Sequence, residues 1–169
     1  PERLLPYVGI LKSALTMVST KNFGYGELFN EINIHTGGIQ TVVNTYTNAE
    51  NMKEYKATLE IRAKVLYEKR DKALELMKEI LLTSDFEDTK RFYEIICEAK
   101  SRMQASMTGA GHSTALIRTL AYFSPTAVFS EKISGIPQYR LLEELEKNFD
   151  EKKQQLTADL KAVSYTHLT

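Results

Sequence analysis

The chain has 169 residues, enough for one domain or one domain with an appendage. Hydrophobic residues make up 43% and charged residues 26%, the balance of an ordinary globular protein. Lysine plus arginine and aspartate plus glutamate both number 22, so no basic excess points to nucleic acid, and no apolar run approaches the ~18 residues of a membrane helix.

In chain order, the opening PERLLPYVGILK does not read as a signal peptide, because polar residues interrupt any apolar core. Leu4, Val8, Leu11 and Leu15 fall on one face of a 3.6-residue period and predict a helix over residues 4–18, with Pro6 suited to its first turn. STKNFGYG breaks the pattern, and GELFNEI resumes a helical rhythm. Residues 32–47 are rich in β-branched and aromatic side chains and predict a strand, in which His35 carries a structural role. Gly37 and Gly38 interrupt that strand. Such glycines mark a bulge or the close approach of another backbone. Two readings stand for them, plain sheet packing and contact with an extended peptide. A phosphate loop is excluded, because strand formers follow the pair where a helix would be needed.

Residues 58–67, TLEIRAKVLY, alternate more clearly than any other stretch. Leu59, Ile61, Ala63, Val65 and Tyr67 face one way, as in an antiparallel strand with one solvated face. EKRDKALELMKEILL predicts a helix with Ala73, Leu74, Met77, Ile80 and Leu81 as its stripe. A longer helix follows from Thr89, on which Cys97 reads as a buried, inert thiol. At Gly109 and Gly111 either that helix breaks or the glycines permit a close helix–sheet contact. His112 reads as the donor or acceptor of a buried hydrogen bond. Ala115, Leu116, Thr119, Leu120 and Tyr122 resume helical spacing. SPTAVFSEKISGIPQ reads as a loop, and PQYRLLEELEKNFDEKKQQLTADLKAV as one final amphipathic helix. Together these elements predict an α+β domain, an antiparallel sheet packed by long helices. Two clear strands are too few for an independent sheet, so its partners are expected outside this chain.

LPYVGILKSAL, YGELFNEINIHTGGI, FYEIICEAKSRMQASMTGAGHSTALIR and the SGI of EKISGIPQYRLLEEL together resemble the associated, non-catalytic region of the presequence proteases. These form one branch of the insulinase (pitrilysin-type) peptidase family. The resemblance covers residues 3–150. It implies a large zinc metallopeptidase whose two halves enclose a chamber, each half built of two related α+β domains. Zinc would sit in the first domain on a helix bearing His-x-x-Glu-His, where histidines one turn apart share a metal and the glutamate activates water. This chain resembles the third domain. Its first helix takes a place similar to that of the zinc helix but carries neither histidine nor acid, and His35, His112 and His167 are scattered. The resemblance therefore implies no catalytic residue and no metal ligand or cofactor here, with zinc in the parent's first domain. It leaves Gly37 and Gly38 as structural or peptide-contacting residues, and Gly111 and His112 as structural ones.

The implied role is a non-catalytic chamber wall of a peptide-degrading enzyme. Its partners would be the remaining domains of the same polypeptide and peptides in the chamber, with no nucleic acid and no membrane. The compartment would be bacterial cytoplasm, or an organellar matrix. The rival within the family is a catalytically dead assembly subunit; outside it, an unrelated helical interaction module. The strand and linker that precede the domain in the family are not matched. VSYTHLT has no family counterpart and resembles a translated sequencing-adaptor scar. The expected division is residues 1–161 as the partial domain and 162–169 as a foreign or disordered tail.

Overall fold

The structure, a computed structural model, describes residues 2–168. Its centre is helix α1 (Leu5–Ala14), with Pro6 in the first turn. Val8, Ile10, Leu11 and Ala14 are buried, as are Leu15 and Val18 just beyond. The other residues of α1 are buried or half-buried and none is exposed, which places the helix inside the core rather than on its rim.

The sheet lies against α1. Strands β1 (Ile39–Thr47) and β2 (Tyr55–Ala63) pair antiparallel, from Ile39 opposite Ala63 to Thr47 opposite Tyr55. Ile39, Thr41, Val43, Leu59, Ile61 and Ala63 point toward the core, and the Thr41 hydroxyl donates to the Lys12 carbonyl of α1. Among the described residues the sheet has two strands. The α+β class therefore holds, but β1 starts later than predicted and β2 is shifted, starting three residues before the predicted strand and ending four before its end. Residues 32–35 belong to helix α2 (Tyr25–His35), not to a strand. The reason lies at its start: the Glu27 carboxylate accepts from the Gly24 N–H at 3.0 Å and the Ser19 hydroxyl from that of Tyr25 at 3.1 Å. Leu28 and Ile32, one turn apart, then anchor it. At the other end, Tyr67 leaves the strand, enters a single 3₁₀ turn and is exposed.

Helix α3 (Arg70–Thr83) buries Ala73, Leu76 and Ile80. Leu74, expected in its stripe, is 60% exposed, so the buried face is rotated toward Leu76. After α3 the chain crosses residues 19–21, with Asp85 N–H donating to Ser19 O at 2.8 Å and Lys21 N–H to Thr83 O at 3.1 Å. Helix α4 (Thr89–Gly109) starts on Asp88, whose carboxylate accepts from the Arg91 N–H, and buries Phe92, Ile95 and Ile96. It breaks at Ala110, and α5 (Gly111–Leu120) begins there. A side chain added at Gly109 or Gly111 would touch nothing within 4 Å. The glycines thus mark a break, not a close helix–sheet contact.

Two further corrections concern the C-terminal third. The expected loop over 124–138 contains helix α6 (Pro125–Ser134), which has proline at its first position and buries Phe129 and Ile133. The expected single final helix is two, α7 (Ile136–Lys147) and α8 (Phe149–Leu168), parted at Asn148. Gly135 joins α6 to α7 so tightly that a Cβ there would stand 2.7 Å from the Glu131 carbonyl oxygen. Leu142 and Leu145 of α7 and Leu156, Leu160 and Val163 of α8 complete the core. The boundary expected between residues 161 and 162 thus falls inside a continuous helix, with Val163 packed. The side chains of residues 166–169 lie outside the described residues.

Candidate functional site

The glycine pair sits where α2 hands over to β1. Thr36 ends α2: its hydroxyl donates to Ile32 O at 2.7 Å and accepts from the Gly38 N–H at 3.0 Å. Gly37 N–H donates to Lys64 O at 2.6 Å, and Lys64 N–H returns a bond to Gly38 O at 3.0 Å. Two residues of one strand thereby oppose one of the other, as in a bulge. Gly38 has φ +120°, a conformation that strains any side chain, although space around it is open. A Cβ added at Gly37 would meet the Lys64 carbonyl oxygen and side-chain stem at 3.4 Å, about the limit of ordinary contact. His35, expected in a strand, is the last residue of α2, its Nε2 3.7 Å from the Glu31 carboxylate.

Gly38 also opens on a cleft of about 570 Å³ between the end of α1, α2, the start of β1 and α4. Tyr25, Phe29 and Ile32 give it an apolar wall, and Arg91 and Arg102 border it. Arg91 is committed: its Nε donates to Met17 O at 2.8 Å, its Nη1 to Glu94 at 2.9 Å, and its guanidinium lies 4.4 Å from the Tyr25 ring centroid. The cleft therefore offers shape, aromatic surface and fixed polar edges, which suit binding. It holds no activated nucleophile and no acid–base pair.

The outward face of the hairpin is polar and internally satisfied. One Glu60 oxygen accepts from the Tyr46 hydroxyl at 2.8 Å and the Thr58 hydroxyl at 2.9 Å; the other accepts from Arg62 at 2.7 Å. Hydrogen bonds from Asn44, Tyr46, Arg62 and Thr58 hold the Glu60 carboxyl down to about 2. Sequence alternation showed Glu60 and Arg62 on the solvent face but gave no sign of this four-donor cluster.

His112 is exposed in the first turn of α5, beside an equally exposed Gly111, and so does not make the buried hydrogen bond expected of it. Cys97 is half-buried on α4, and burial pushes its thiol up. Among the described residues, no three His, Cys, Asp or Glu side chains lie together as metal ligands. No described helix is long and apolar enough to cross a membrane. Zinc has no fitting donor set in α1, whose sequence LPYVGILKSA offers only a lysine and hydroxyl groups among apolar residues.

Comparison with known proteins gives the family. The family described as peptidase M-16C associated matches residues 1–145. Protein HypA of Clostridium perfringens is 38% identical over 163 residues, 96% of this chain. The mitochondrial presequence protease of Saccharomyces cerevisiae is 28% identical over 151 residues, 89% of this chain. Presequence protease 1 of Arabidopsis thaliana is 27% identical over 160 residues, 95% of it. The chain spans only 16% of the length of the first of these relatives and 15% of each of the other two. The chain therefore belongs to this peptidase-associated family, the associated region of insulinase-type peptidases.

Proposed function

We propose that this chain is a non-catalytic wall domain, the third of four, in a zinc metallo-oligopeptidase of the presequence-protease type. The observation that carries the reading is the family match over residues 1–145, with relatives named presequence proteases. Zinc in the parent's first domain would supply the activated water for peptide-bond hydrolysis. The residues of this chain have other tasks. Helix α1, whose Val8, Ile10, Leu11 and Ala14 are buried, forms the core of the wall. The hairpin presents a hydrogen-bonded polar face to an aqueous chamber, and the Gly38 cleft offers backbone and aromatic surface to an extended peptide. The partners are the remaining domains of the same polypeptide and the enclosed peptide, and the compartment is bacterial cytoplasm or an organellar matrix.

A second reading within the same family is a catalytically dead assembly subunit. One experiment separates the two. The complete reading frame that encodes this chain is expressed and assayed on a fluorogenic peptide with and without a chelator. Chelator-sensitive turnover by the whole protein, absent from the 169-residue chain alone, is the expected result. A frame without His-x-x-Glu-His and without turnover would favour the assembly subunit. Metal-dependent turnover by the isolated chain would overturn both.

A further inference from the structure

Between Arg102 and Glu131 the chain carries a single formal charge, Arg118, although 26% of all residues are charged. Buried segments lose their charges in this way, yet residues 104–123 of this one are largely exposed. Helix α5 has no buried residue at all. Leu116 is 58% exposed, Leu120 45% and Phe123 81%. Leu116 and Leu120 lie one turn apart on one face of α5, the spacing of a stripe meant for a core, and Phe123 extends the apolar surface into the turn beyond the helix. Here that stripe points away from the core that exists.

The stripe is held in place. Arg118 leaves the same helix on another side and donates at 2.6 Å to Glu131, a buried carboxylate of α6. The one charge of the segment is thus spent on positioning α5, and none is left on the outward stripe. A surface that is apolar and depleted of charge has the composition of the buried centre of a protein interface.

We infer that the α5 stripe is a docking surface for another part of the same parent polypeptide, an apolar, uncharged face outside the segment described here. The choice of occupant rests on length: this chain spans only 16% of its 38% identical relative, so most of such a parent is available to cover it. The inference rests on the wall-domain reading for the existence of that parent and adds to it the surface by which the wall is attached.

The test is amide hydrogen exchange on the complete reading frame and on the 169-residue chain, with Leu116→Glu/Leu120→Glu in both. Both positions are exposed in this chain, so the substitutions leave its own core untouched. The expected result is exchange in α5 at least about tenfold slower in the whole protein than in the isolated chain, with that protection lost in the double variant. Equal exchange in both proteins would overturn the inference. A discrete dimer of the isolated chain that the double variant dissociates, with α5 unprotected in the parent, would assign the stripe to a second copy and overturn it too. Binding of the isolated chain to phosphatidylcholine vesicles through α5, again without protection in the parent, would do the same. Peptidase activity separates this failure from that of the wall-domain reading. An active parent with unprotected α5 sinks only the docking surface; an inactive parent with protected α5 sinks only the peptidase role.

Discussion

Gly9 offers the most direct test of how α1 is packed. It lies in the middle of the buried helix, and a Cβ there would run into the Ile133 carbonyl oxygen of α6 and meet the side-chain amide of Gln138 at 3.0 Å. The overlap with the carbonyl is about 1 Å relative to an ordinary contact of ~3.5 Å. Two effects oppose each other in Gly9→Ala. Helix propensity favours alanine by about 1 kcal/mol. Overpacking costs about 1–3 kcal/mol, and the upper end applies because the obstacle is backbone, not the tip of a flexible side chain. The expected net loss is about 2 kcal/mol, or roughly 4–8 °C in Tm for a chain of this size. Urea unfolding at low micromolar concentration, followed by circular dichroism, measures it. Gly26→Ala in α2 is the control: nothing lies within 4 Å of its Cβ, so the variant should be neutral or stabilised by up to about 1 kcal/mol. If Gly9→Ala equals the wild type or exceeds it, α1 and α6 do not meet backbone to backbone and the core is arranged differently.

Three further expectations can be checked on the same chain. The Glu60 carboxyl is held down from 4.5 to about 2, so its contribution to stability is fully present above pH 4.5 and is lost as pH falls toward 2; Glu60→Gln should flatten that acid limb of the urea midpoint against pH, and an unchanged limb would discount the cluster. Val163 is 2% exposed, so ending the chain at Ala162 should cost about 1.5–3 kcal/mol relative to ending it at Val163; equal Tm values would show that α8 stops packing at Leu160. Both outer edges of the two-stranded sheet lack a neighbouring strand among the described residues, so the isolated chain should associate with rising concentration in light scattering, and Leu116→Glu/Leu120→Glu should not prevent it. A monodisperse, cooperatively melting monomer would mean that the sheet needs no further strands.

The errors and successes of the sequence reading follow one physical rule: period is legible where one face dominates, and phase is not where two faces are apolar. The hairpin strand over 58–63 was readable because every second residue is polar. In α3, apolar residues occupy several faces, and the contest between Leu74 and Leu76 is decided by tertiary contact that the sequence does not display. Ile32 and Ile34 looked like strand because β-branched residues favour it, yet Leu28 and Ile32 one turn apart, behind the Gly24–Glu27 bond, carry the helix through His35. Helix α6 was a missed signal: Ser124-Pro125 at its start, Gly135 at its end, and Phe129 and Ile133 one turn apart are start, stop and stripe. The Asn148 break was hidden because Leu141, Leu142, Leu145 and Phe149 keep helical spacing across it.

The candidate site was legible only in part, for the same reason. Gly37-Gly38 could be read as a bulge, since glycine in an extended run has few other causes, but the cleft beside it depends on α2 and α4 meeting, and no local pattern encodes that. The case of α5 is the reverse. Its stripe of Leu116 and Leu120, one turn apart, is spaced like that of a buried helix, and local reading alone would place it in the core. The fold places it outside. A core-type stripe on the outside of the fold is what the proposed docking surface explains. The conflict between local pattern and observed exposure is then no defect of the sequence but a measure of what α5 is built to meet.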